Sequence, residues 1–225
     1  MCKKVMSIVA IVLLTIVLGQ IARMKFSNIG LVNIHEMKDL STISFSFDSV
    51  EGKSEAEYYI GTNATEYIED CVHSENIFIA VPTGKVQIGK GDSLQEVVVN
   101  KVISGEKSMI NEKVWVDCLP GVEYDGINIL LDAPAGWMLE GKQYLICSSS
   151  YGSQKNASGA SKYYAVINSF GYLNLETTDP GMLIDDKKKY TYDEISQSQF
   201  YAADEEILKL KQKIKEKIVK KLVKE

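Results

Sequence analysis

The stretch that most constrains the fold is a strand-rich run at 94–106, LQEVVVNKVISGE, which ends in a Ser-Gly turn. Val97 and Val99 fall on one side of this strand and Val98 on the other, so both faces can bury apolar surface. Two further runs of the same kind follow along the chain, KVWVDC at 113–118 and KQYLIC at 142–147. Strand-like runs separated by turns predict a small barrel or sandwich, with an anchor before it and a helix after it.

The segment at 41–50 alternates sharply, with Ile43, Phe45 and Phe47 on one face. This period of two predicts a half-buried strand, and the run at 57–60 is its expected hairpin partner. The remaining expectations for the body are a helix at 64–72, strands at 77–81 and 126–131, and a mobile Ser/Gly-rich loop at 148–161. The runs at 163–167 and 172–175 form either a hairpin or one bent strand.

The amino terminus contains 18 uncharged residues, 5–22, preceded by Lys3 and Lys4 and followed by Arg23. At about 1.5 Å per residue this run barely spans a bilayer core of about 30 Å. It is either a cleaved signal peptide or an uncleaved anchor, and its poor cleavage sites favour the anchor. We expect an anchor at 1–25, a β-rich extracytoplasmic domain at 26–185 and a helical tail at 186–225. The protein would then be a single-pass membrane protein, or a secreted one if the segment is cleaved.

The net charge of −5 conceals an uneven distribution. Residues 207–225 carry eight lysines and two glutamates, a net +6, so the rest of the chain carries −11. An acidic body argues against nucleic acid as a partner. TYDE at 191–194 has capping-box spacing, and an apolar stripe recurs from Ile207 to Leu222. That amphipathic helix docks on the barrel, pairs with a protein partner or lies on an anionic surface.

The chain has four cysteines, too few for a disulfide scaffold. Cys2 precedes the hydrophobic run. Cys71, Cys118 and Cys147 allow three alternative single bridges, and buried free thiols are the simpler interpretation.

No catalytic signature emerges from the sequence. GKVQIGKG at 84–91 has phosphate-loop spacing, but Gly91 replaces the Ser or Thr that binds magnesium, and a strand follows instead of a helix. His35, Glu36 and Asp39 lack the spacing of a zinc site. We therefore expect no enzyme activity, no metal and no cofactor.

Aromatic side chains are the candidate ligand contacts, as they often are on barrels. We assign ligand binding to Trp137, Tyr124 and Tyr151, with the loop residue Trp137 first. Trp115 fits the alternating strand pattern and is expected to pack in the core.

Four segments carry a resemblance to a known group of proteins: EYIEDCVHSENIFIA at 66–80, EVVVNKVISGE at 96–106, KVWV at 113–116 and LEGKQYLI at 139–146. They resemble the uncharacterised extracytoplasmic β-barrel domains of Gram-positive bacteria, whose fold is similar to OB or netrin-like barrels. The resemblance implies a mainly β fold with a small OB-like barrel, a location outside the cytoplasm and a binding or interaction role. The cysteine framework of animal netrin-like inhibitors is missing here. A secreted hydrolase or an inhibitor-like barrel is the alternative function.

Overall fold

The computed structural model describes residues 34–47, 53–88, 93–118, 121–124, 128–132, 135–156, 159–176 and 181–223. The hydrophobic run at 5–22 lies outside these residues. Within the described part of the chain, no helix combines the length and apolar character needed to cross a membrane.

The described strands are mostly short, and three of them are longer than ten residues. They are β1 (Ser44–Phe47), β2 (Asn76–Ile88), β3 (Ser93–Ser104), β4 (Lys113–Asp117), β5 (Gly121–Tyr124), β6 (Asn128–Asp132), β7 (Tyr144–Asn156), β8 (Gly159–Val166), β9 (Tyr172–Asn174), β10 (Met182–Leu183), β11 (Tyr190–Thr191) and β12 (Tyr201–Ala202). The helices are α1 (Lys53–Val72), α2 (Tyr192–Ser196) and α3 (Glu205–Leu222), with 3-10 turns at Met37–Thr42 and Lys107–Met109.

Five strands close into a barrel in the order β2-β3-β4-β8-β7, and β7 pairs back onto β2. All neighbours are antiparallel except β4 and β8, which run parallel. The predicted central strand is β3, and the runs at 113–118 and 142–147 supply β4 and the start of β7. Alternation puts Val97 and Val99 of β3 inside, both fully buried. The prediction of a small, mainly β barrel with a C-terminal helix is confirmed.

The Ser/Gly-rich segment at 148–161 was expected to be a mobile loop, and this expectation is wrong. Its backbone forms most of the β7–β8 hairpin, with Ser148 opposite Val166 and Asn156 opposite Gly159. Pairing with a neighbouring strand overrides the low strand propensity of Ser and Gly. β8 and β9 then pair with the same edge of β7, so they form one bent strand interrupted at 167–171.

A second sheet lies beside the barrel in the order β11-β1-β6-β5. Its strand β1 buries Phe45 and Phe47 as the alternation predicts. The expected hairpin partner of β1 at 57–60 is instead part of α1. β1 pairs in parallel with β6, far along the chain, and antiparallel with β11. Nothing in local sequence spacing reveals such a non-local partner.

The extended segment at 135–139 separates the two hydrophobic cores. Met138 is fully buried in the barrel core, whereas Trp137 packs in the second core against Phe45, with ring centroids 5.7 Å apart. We call this segment the crossing segment. Gly136 is needed in it because a Cβ there would lie 2.7 Å from the carbonyl oxygen of Ser198.

Gln95 of β3 holds the crossing segment from inside the barrel. Its side-chain Nε2 donates to the carbonyl of Met138 at 2.8 Å, and its Oε1 accepts from the backbone N–H of Met138 at 2.8 Å. The next amide, Leu139, donates to the Tyr144 hydroxyl at 2.8 Å. Burial raises the pKa of Tyr144 to about 12. The neutral hydroxyl form, which accepts this hydrogen bond through an oxygen lone pair, therefore persists to a higher pH than in an exposed tyrosine.

The C-terminal helix α3 packs on the barrel through the predicted stripe. Asp204 caps it by accepting the N–H of Glu206 at 2.7 Å. Ile207, Ile214 and Ile218 are buried in the barrel core cluster. Lys211, which interrupts the stripe, is also buried, and its Nζ donates to the carbonyl of Tyr201 at 2.7 Å. The capping box predicted at 191–194 is present and begins α2.

Replacing Gln95 tests the hold on the crossing segment. We expect Gln95→Ala to lower the free energy of unfolding by about 2–4 kcal/mol, because two buried backbone groups of Met138 lose their partners. The control Asn100→Ala changes an exposed residue of the same strand. It should cost less than about 0.5 kcal/mol. Urea unfolding measures both, and equal stabilities of the two variants would contradict the role of Gln95.

Candidate ligand-binding face

A row of side chains crosses the outer face of the barrel at one level. Register places Glu96 of β3 opposite Trp115 of β4, and Trp115 opposite Tyr163 of β8. Side chains of paired residues lie on the same face of a sheet, and their neighbours Val97, Val114 and Tyr164 point inward. The row therefore combines a carboxylate with two aromatic residues. We call it the outer row.

Glu96 is the polar centre of this row. Its side chain is only 10% exposed, although it lies on the outer face. The Thr83 hydroxyl donates to Glu96 Oε1 at 2.9 Å, which fixes that oxygen. Lys85 and Lys113 approach the same oxygen with their Nζ atoms at 3.7 and 3.6 Å. The carboxylate is thus held by one short hydrogen bond and two looser ion pairs.

The two lysines are well exposed while the carboxylate is not. The side chains of Lys85 and Lys113 are 53% and 60% exposed, and they lie on strands β2 and β4 at either side of Glu96. These pairs are thus exposed on the ammonium side only, and Glu96 keeps the short Thr83 hydrogen bond if one lysine moves. A ligand that displaces an ammonium group has to donate to the carboxylate in its place, because a buried charge without a partner is costly.

The aromatic part of the row reaches solvent mainly through Trp115. Trp115 is half-buried, and Tyr163 is 8% exposed beside it. Such amphipathic rings offer a flat apolar surface with a polar atom at the rim. Ion-pair groups next to aromatic faces are able to bind a ligand that has both polar groups and a flat apolar side.

The three residues predicted to bind a ligand lie in different places. Trp137 is 6% exposed in the second core, and its Nε1 donates to the Ser93 hydroxyl at 3.0 Å. Tyr124 lies in β5, opposite Ile129 of β6. Tyr151 lies in β7 opposite Tyr163, so its backbone continues the outer row. Their ligand binding stays a prediction, and the structure brings only Tyr151 into register with the outer row.

The sequence reasoning missed Glu96, Thr83 and the two lysines. The usable signal was the phase of β3, in which Gln95, Val97 and Val99 share the inner face and Glu96 must lie outside. The same argument places Trp115 between the inward Val114 and Val116. The prediction that Trp115 packs in the core is wrong, because its side chain is half-buried on the outer face.

The candidate metal residues serve as a local cap instead. Asp39 Oδ2 accepts the backbone N–H groups of His35 and Glu36 at 3.1 and 3.0 Å. These hydrogen bonds lower the pKa of Asp39. Across the described residues, no group of three His, Cys, Asp or Glu side chains is placed to hold a metal ion.

Comparison with known proteins does not assign the chain to a family. No protein-family model matches it, and no curated protein matches it in sequence.

The two tryptophans provide a direct test of this arrangement. The Trp137→Phe variant reports the fluorescence of Trp115 alone, and the Trp115→Phe variant reports that of Trp137 alone. Acrylamide should quench the fluorescence of Trp115 several-fold more efficiently, because this side chain reaches solvent. The Stern–Volmer quenching constants of the two variants measure this difference. Equal quenching would contradict the placement of Trp115 on the open face.

Proposed function

We propose that the protein is a membrane-anchored extracytoplasmic binding protein whose outer row takes a ligand. The observation that carries this proposal is the alignment of Glu96, Trp115 and Tyr163 across three neighbouring strands. The described residues form no constellation that we can assign to catalysis, so binding rather than turnover is the function that fits this face best.

The barrel is proposed to be OB-like. Five strands in the order first, second, third, fifth, fourth, closed on the first, form a Greek-key barrel that supports this assignment. In OB folds the face of the second and third strands binds oligonucleotides or oligosaccharides. Here those strands are β3 and β4, which carry Glu96 and Trp115. The position of the outer row therefore agrees with the binding face of this barrel type.

An oligosaccharide is the ligand class that the chemistry favours. A sugar ring has an apolar side that stacks on indole or phenol rings, and its hydroxyl groups donate to a carboxylate or accept from lysine. Nucleic acid fits less well, because the centre of the row is a carboxylate and the body of the chain is acidic.

The helix α3 offers a second surface for a partner. Its apolar stripe is buried against the barrel, so a partner would contact the outer lysines Lys213, Lys217 and Lys220, which are exposed. Such a face suits an anionic surface, and a membrane anchor at 1–25 would keep it near lipid headgroups.

Binding of a defined sugar probe tests the outer row. We expect calorimetry with a β-1,4-linked N-acetylglucosamine pentamer to detect binding, and Trp115→Ala to weaken it about tenfold, because one stacked ring is lost. The control Leu183→Ala removes a 48% exposed side chain away from the barrel face and should leave affinity unchanged. Equal affinity of wild type and Trp115→Ala would contradict the proposed site. Cleavage of the pentamer would instead favour the hydrolase alternative.

The proposed location has its own test. We expect the protein purified from its host to be found in the membrane fraction with its full mass, because residues 5–22 then remain as an anchor. Mass spectrometry after fractionation measures both properties. A chain that is about twenty residues shorter and is found in the medium would show that the segment is a cleaved signal peptide and not an anchor. Full mass in the soluble cell fraction would contradict the location.

A further inference from the structure

Two buried cysteines, both free thiols in this structure, lie where helix α1 packs on the barrel. Cys71 lies in the last turn of α1 and Cys147 in β7, and both side chains are completely buried. The residues between them in sequence include five strands, β2 to β6, so their approach to one turn is strongly non-local.

Both cysteines contact the turn at 167–171. Cys71 Sγ lies 3.5 Å from the carbonyl oxygen of Phe170 and 3.6 Å from Asn168 Oδ1. The backbone N–H of Cys147 donates to the carbonyl of Gly171 at 2.7 Å, and its carbonyl accepts from Ile167 at 3.1 Å. One short turn thus contacts both residues and holds the end of α1 next to β7.

The remaining described cysteine is placed differently. Cys118 follows β4, and its thiol lies 3.6 Å from the carbonyl of Val116 in the same strand. Of the three bridges that the sequence allowed, Cys71–Cys147 is therefore the one whose two residues contact the same turn.

We propose that Cys71 and Cys147 form a disulfide that ties α1 to the barrel in the mature protein. The proposal rests on the extracytoplasmic location proposed above, since disulfides persist in oxidising compartments. In the reaction the two S–H bonds break and one S–S bond forms. The two electrons and two protons pass to a partner disulfide, either of a thiol–disulfide oxidoreductase or of a small molecule, which leaves as two thiols.

The surroundings indicate when this bond forms. The hydrogen bond with Cys71 and burial both raise the pKa of the Cys147 thiol. A thiolate is the attacking species, so the folded protein with both thiols reduced is oxidised slowly. The disulfide therefore forms during folding, before the thiols are buried. Once formed, the bond is shielded from reductants by the same burial. It closes the chain from 71 to 147, and such long loops give a large restriction of the unfolded state.

Thiol trapping of the full chain from its host tests the proposal. The protein is denatured in excess maleimide, digested without reductant and mapped by mass spectrometry. We expect one linked peptide pair that contains Cys71 and Cys147, while Cys118 carries maleimide. Maleimide on both Cys71 and Cys147 would overturn the disulfide.

A refolding arm separates this result from the proposed location. The full chain is solubilised in detergent and refolded in a buffer of reduced and oxidised glutathione. A linked pair in this arm combined with free thiols in the host sample overturns the disulfide in the cell, and the extracytoplasmic location fails with it. Free thiols in both arms overturn the geometric argument and leave the location standing.

Thermal unfolding with and without reductant distinguishes a disulfide from two thiols that only pack together. Unfolding and refolding with dithiothreitol should lower the Tm of the wild type by about 5–15 °C. Cys71→Ala and Cys147→Ala should melt at the same temperature with and without reductant. The matched control Cys118→Ala removes an equally buried thiol and should keep the full reductant sensitivity. A wild type whose Tm does not respond to reductant overturns the proposal, even if the variants fold poorly.

Discussion

The paired hydrogen bonds between the Gln95 amide and the backbone of Met138 are the contact on which the described structure depends most. They satisfy the buried N–H and the buried carbonyl of Met138. Leaving these two backbone groups without partners would cost about a few kcal/mol. They also fix the crossing segment between the two cores, so that Trp137 enters one and Met138 the other. Barrel and second sheet thereby form one packed unit.

This arrangement explains why Glu96 lies in the outer row. Gln95 uses the inner face of β3, so its neighbour Glu96 must lie on the outer face. Thr83 and two lysines keep that carboxylate hydrogen-bonded and paired, and β4 and β8 extend the row with Trp115 and Tyr163. The helices α1 and α3 contribute side chains to the barrel core, and Lys221 of α3 contacts Glu69 of α1 at 2.6 Å. The rigid barrel positions the row, and the exposed lysines leave it adaptable.

Local pattern was enough to predict the strands that alternate clearly and the capped start of α2, whereas the helix expected at 64–72 begins already at Lys53. The valines of β3, the phenylalanines of β1 and the Thr191–Glu194 box all lie where the sequence indicates. Local pattern did not predict contacts between distant segments. β1 pairs with β6, and the serine-rich strand forms through its pairing with β8. Residues 57–60, expected to pair with β1, are helical. The candidate site was missed for the same reason, because Glu96, Trp115 and Tyr163 form one row only through the order of the strands. Trp137 was singled out as a loop aromatic, and only its tertiary contacts reveal its place in a core.

Amide hydrogen exchange of Met138 tests the central claim, that the crossing segment is locked into the barrel. Met138 donates its N–H to Gln95 and Leu139 donates to Tyr144, so both amides should exchange only through global unfolding. Their exchange free energies should equal that of the buried Val99 in β3, whose amide donates to the carbonyl of Glu112, just before β4. Exchange of Met138 and Leu139 at the rate of an exposed loop, with Val99 still protected, would contradict the account.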